Sequence, residues 1–135
     1  MGIGGLLVAV MLHPTALSNP EELAVWQEVA KRLGVAPDWH DIFDFVSYTY
    51  LPLGLTKAEV HARLSAIGPF TVAKEEYYIN EQGQPIDYER IVFDNSYVAN
   101  ELGEREYEFD SNSGLLVGAL VILPTGEGVR LLPPP

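Results

Sequence analysis

Apolar residues follow two different periods along this chain. Between Asn19 and Gly68 they recur every three or four positions, and from Phe70 to Ile122 they alternate or run together. The first period predicts helices and the second predicts strands. In "SNPEELAVWQEVAKRLG", Leu23, Trp26, Ala30 and Leu33 form one apolar stripe. Asn19 suits the N-cap and Pro20 the first helical position, with Glu22 at capping-box spacing. Lys31 and Arg32 complement the negative helix end, and Gly34 can take the left-handed position just beyond it. Asp38 predicts the cap of a shorter helix carrying Ile42, Phe43 and Val46, after which "SYTYLPLG" reads as an extended connector. In "GLTKAEVHARLSAIGP", Thr56 and Glu59 have the spacing of a reciprocal capping box, and Leu55 and Val60 that of a hydrophobic staple. Val60, Leu64 and Ile67 make its buried stripe, and Gly68-Pro69 stops the helix.

Strands are predicted over Phe70 to Ile79 and Ile86 to Asp94, joined by the turn-rich "NEQGQP". "EREYEFD" alternates most cleanly: Arg105, Tyr107 and Phe109 face one way, and Glu104, Glu106, Glu108 and Asp110 the other. The turn "SNSG" leads into "LLVGALVIL" and completes a hairpin. Strict alternation puts Leu115, Val117, Ala119 and Val121 on one side of this last strand, and Leu116, Leu120 and Ile122 on the other. A single helix layer covers only one side. The second side then meets the amino-terminal apolar run, a partner chain or a membrane surface, unless the chain itself covers both sides.

These elements predict an α+β domain, with two or three helices packed on one face of a four-stranded antiparallel meander sheet. The domain occupies residues 18–123. It is preceded by an apolar segment, residues 1–17, and followed by a Pro- and Gly-rich tail, residues 124–135, expected to be a surface arm. "GIGGLLVAVML" is shorter than the roughly 20 apolar residues of a membrane-spanning helix. Three readings of it stay open: a packed strand or short helix, the tail of a longer anchor, or an export signal that lacks a cationic start.

Composition narrows the functional classes. A hydrophobic share of 47% supports a real core. The chain has eight Lys and Arg against nineteen Asp and Glu, a net charge of −11. Its cations are scattered, so no nucleic-acid partner is expected. With no cysteine, disulfides, thiolate metal sites and Cys nucleophiles are all absent.

Chemistry-bearing clusters are few. In "DWHDIFD", His40 and Asp44 would stand one helical turn apart and could share a metal in a hydrolase, but a zinc site needs a third protein ligand. The remaining histidines, His13 and His61, have no spacing that links them to this pair. Glu59 and His61 are two apart on one helix and so point about 200° from each other, which prevents joint action from one face. "DSNSG" places its Gly and its would-be twelfth-position ligand wrongly for a calcium loop. "GIGG" lacks the preceding strand of a dinucleotide fingerprint, and "TGEG" lacks the Lys of a phosphate loop. No catalytic set, cofactor or resident metal is specified.

Gly54, Leu55, Thr56, Glu59, Val60, Gly68 and Pro69, followed by Phe109, Asp110, Gly114 and the strand from Leu115 to Ile122, carry a family likeness. Over roughly residues 54–123 the chain resembles the SmpA/OmlA domain, the BamE-like group. Through it the chain resembles the helix-helix-sheet repeat of β-lactamase inhibitory proteins. The resemblance implies an extracytoplasmic or membrane-associated, non-enzymatic domain that binds proteins or envelope surfaces. The lipid-bearing Cys of the family lipoproteins has no counterpart here.

The resulting expectation is a non-catalytic interaction or accessory domain. Its partner would be another protein, a second copy or a membrane surface, and Leu116, Leu120, Ile122, Leu6 and Leu7 would supply the contact. A small-ligand or enzymatic α+β cone is the rival reading, with the His40/Asp44 metal hydrolase behind it.

Overall fold

The computed structural model of the chain describes residues 19–134. Leu6, Leu7, His13 and the rest of the amino-terminal apolar run lie outside the described residues. The element order is α1 (Pro20–Leu33), α2 (Trp39–Tyr48), α3 (Lys57–Ile67), β1 (Phe70–Ile79), β2 (Pro85–Phe93), α4 (Ser96–Leu102), β3 (Glu104–Asp110), β4 (Leu116–Ile122) and β5 (Gly128–Leu132). The five strands form one antiparallel sheet in the order β1-β2-β3-β4-β5.

The caps form where their residue types put them. Asn19 accepts from the Glu21 and Glu22 amides, and Asp38 from the His40 and Asp41 amides. Thr56 and Glu59 make the reciprocal box, with the Thr56 amide donating to Glu59 Oε1 at 2.9 Å and the Glu59 amide to Thr56 Oγ1 at 3.2 Å. Gly34 adopts φ 73°, a left-handed conformation that a side chain would strain.

The helices bury one face of the sheet. Trp26 and Val29 of α1, Ile42 and Val46 of α2, Val60 and Leu64 of α3 and Val98 and Leu102 of α4 share one core with Ile91, Phe93, Tyr107, Phe109, Leu116, Ala119 and Val121 of the sheet.

Three expectations are corrected. The described residues contain four helices, not two or three. The additional α4 is opened by Asn95, which accepts from the Tyr97 and Val98 amides. At seven residues it is too short to show a period, and packing of Val98 and Leu102 sustains it. The sheet has five strands, not four, because the expected arm folds back as β5 through the turn at Gly126. Consecutive Leu131 and Leu132 are both buried, where a register irregularity opposite Ala119 interrupts alternation.

The third correction concerns β4. Glu108 pairs with Gly118 while Phe109 pairs with Leu116, so β4 carries an extra residue against β3. Such a bulge reverses the facing of everything before it. Leu116 therefore joins Ala119 and Val121 on the helix side, 1% exposed, and cannot serve as a surface contact.

Candidate functional site

The opposite face of the sheet is where the described helices do not pack. Glu104, Glu106 and Glu108 project from β3 at two-residue spacing, and their neighbours hold them. Tyr88 donates its hydroxyl to Glu106 Oε2, and Arg90 reaches the same oxygen through Nε at 2.9 Å and Nη2 at 2.8 Å. Arg90 also stands 3.9 Å from Glu104. Tyr78 donates to Glu108 Oε2 at 2.8 Å, while Arg130 of β5 donates to Glu108 Oε1 at 3.0 Å. Gly118 makes room for this last pair, because a Cβ there would collide with both the Glu108 and the Arg130 side chains. Leu120 and Ile122 sit half-buried on the β5 side, near Gly128. Near the β1–β2 turn a cleft of about 540 Å³ runs between Asn80, Gln84, Glu108, Arg130 and Pro133.

These contacts set the electrostatics. Burial pushes Tyr88 up to about 12, reinforced by its bond to the Glu106 carboxylate. Burial and the bond to Glu108 likewise push Tyr78 up to about 12. The bond to Glu106 raises Arg90. In the unfolded chain both phenols ionise near 10.0, so between about pH 10 and about pH 12 the folded state keeps protons that the unfolded state has lost. Stability is therefore expected to fall across that window as pH rises. Burial also raises Tyr107 in the core and Tyr50, so tyrosinate absorbance should show Tyr78 and Tyr88 among a late-titrating group within the seven tyrosines, and Glu106→Gln should bring the Tyr88 midpoint down while leaving Tyr78 unchanged. Seven tyrosines titrating together near 10 would contradict the ordered face.

Other candidate residues are placed elsewhere. His40 and Asp44 are exposed on α2, with the His40 ring stacked on Trp39 at 3.9 Å. Among the described residues no group of three or more His, Asp or Glu is placed to hold a metal ion. His61 does meet a carboxylate, though not Glu59. Its Nε2 lies 2.6 Å from Oε1 of Glu89, which projects from β2 toward the helices, and Lys57 Nζ is 3.8 Å from the other oxygen. The sequence missed this pair because its members are 28 residues apart. It likewise missed the Tyr78, Tyr88, Arg90 and Arg130 partners of the acidic row, although the alternation of the acids themselves was visible.

No family model, no curated protein and no solved structure matches this chain. Among the described residues no helix is long and apolar enough to cross a membrane. The carboxylates of the open face are held by phenols and guanidinium groups, which restrains them before any contact is made. Such restraint lowers the ordering cost of association.

Proposed function

We propose that this protein is a non-catalytic protein-interaction or accessory domain that docks a partner through the open face of its sheet. The observation that carries this reading is the row of Glu104, Glu106 and Glu108, locked by Tyr78, Tyr88, Arg90 and Arg130 on the face opposite the helices. Leu120 and Ile122 border the row and supply apolar area, which is the mixture found in association surfaces. A membrane-proximal or cell-envelope setting is part of the proposal. It rests on the apolar run of residues 2–12 and on the BamE-like resemblance of residues 54–123.

The test is photo-crosslinking of the full chain in its own cells. A benzophenone side chain is placed either at the exposed Glu104 on the open face or at the exposed Ala24 on α1. A discrete protein adduct is expected from position 104 and not from position 24. No adduct from position 104, or the same adducts from both, overturns the reading.

A further inference from the structure

The helix-side face of the β1–β2 hairpin carries an exposed ledge at one end. Lys57, the first residue of α3, leans over the Phe109 ring at 5.4 Å from its centroid and marks where helix cover begins. Beyond it Tyr77 pairs with Asp87 and Ile79 with Pro85. Alternation from Glu89, which meets His61 of α3, places Tyr77, Ile79, Glu75 and Asp87 on this same face. Tyr77 is 63% and Ile79 56% exposed, and Leu115, 37% exposed, stands at the same end of the sheet through its bridge to Thr56.

Single exposed apolar residues are ordinary, but two on one face of an edge strand form a surface. Its charge is one-sided. Glu75 precedes Tyr77 on that face and Asp87 lies opposite it, and neither makes an ion pair among the described residues. The nearby cation, Lys57, is drawn toward the buried Glu89 carboxylate at 3.8 Å. A cleft of about 270 Å³ opens between Lys57, Glu75, Tyr77 and Asp87. A second copy would bring the same acids, on a chain of net charge −11, against this ledge. Like-charge juxtaposition disfavours that pairing, while cations are attracted.

We infer that the ledge docks a cationic protein segment bearing an apolar side chain. Tyr77 and Ile79 receive the apolar group, and Glu75 and Asp87 face its Lys or Arg residues. The exposed ring of Tyr77 adds a surface suited to cations. This inference does not rest on the open-face reading, because the two surfaces lie on opposite sides of the sheet.

The experiment uses the isotope-labelled full chain, titrated by NMR with a short peptide of alternating leucine and lysine. A matched leucine–glutamate peptide is titrated in parallel. Amide shifts are expected at residues 75–79, 86, 87 and 115 with the lysine peptide and not with the glutamate peptide. Tyr77→Ser, and separately the pair Glu75→Gln with Asp87→Asn, should each raise the Kd about tenfold. An unchanged melting temperature in both variants shows that the fold is kept. Absent binding, shifts centred on the helices or the open face, equal response to the glutamate peptide, or an unchanged Kd in the variants would each overturn it. Crosslinking from position 104 reads the open face separately, so failure of one proposal is distinguishable from failure of the other.

Discussion

Replacing Arg105 with alanine is expected to lower the unfolding free energy by about 3–5 kcal/mol, among the largest single-residue effects in this protein. Arg105 projects from β3 into the core, fully buried, with no Asp or Glu within ion-pairing distance among the described residues. Its charge is met by other means. Nε donates to the Leu102 carbonyl at the end of α4, at 2.9 Å, and Nη1 donates to Ser47 Oγ in the last turn of α2, also at 2.9 Å. Two helix carboxyl ends, each with negative dipole character, therefore converge on one cation. The Phe43 ring lies 4.9 Å from the guanidinium carbon, another contact that favours positive charge. Burial lowers the Arg105 pKa, yet a guanidinium stays charged at neutral pH.

The alanine variant would lose these contacts and leave a cavity where α2, α4 and β3 meet. Arg105→Met keeps most of the volume and removes the charge, so its loss should be smaller, about 1–2 kcal/mol, as expected when a hydrophobic side chain replaces a buried ion. Urea unfolding followed by circular dichroism measures both. Equal losses would mean that charge at the helix ends, rather than filled volume, is what residue 105 contributes. Nη2 of Arg105 and the buried hydroxyl of Tyr107 lack a partner at full hydrogen-bond geometry, yet the two side chains interact electrostatically in favour of the Arg105 charge, a contact that the methionine variant also loses.

His61→Ala is expected to cost about 2–3 kcal/mol, because it strands a buried carboxylate. Glu89 is 3% exposed, and it sits under α3 with His61 Nε2 at 2.6 Å and Lys57 Nζ at 3.8 Å. The remaining Lys57 and the part-exposed position of the imidazole keep the loss below that of a fully enclosed pair. Combining His61→Ala with Glu89→Leu removes the stranded charge as well, so the double variant should be more stable than His61→Ala alone. A double-mutant cycle by urea unfolding measures the coupling. Additive losses would show that the two side chains do not stabilise each other.

The legible parts of this molecule are those governed by near neighbours. The Thr56/Glu59 box, the Asn19 and Asp38 caps and the left-handed Gly34 form as their residue types require, because each involves groups within a few positions of one another. Strand β3 keeps its predicted facing, with Arg105, Tyr107 and Phe109 toward the core and the glutamates away from it. A period of two needs no knowledge of the partner strand. Strand β4 shows the limit. Its alternation in the sequence carries no sign of the bulge, which exists only relative to β3, and one inserted residue places Leu116 in the core instead of on the expected contact surface. The candidate site was legible only as a row of acids. Tyr78, Tyr88, Arg90 and Arg130, which turn that row into an ordered face, come from three other strands.

The sequence by itself determined where α1, α2, α3 and the first four strands run, since caps, stop signals and apolar periods are local. Only the tertiary structure decided that the Pro- and Gly-rich tail supplies β5, that α4 persists at seven residues, and that His61 answers to Glu89 rather than Glu59. Each of these depends on contacts between distant segments. Their free energy comes from burying surface or pairing charge across the fold, which no short window of the chain contains.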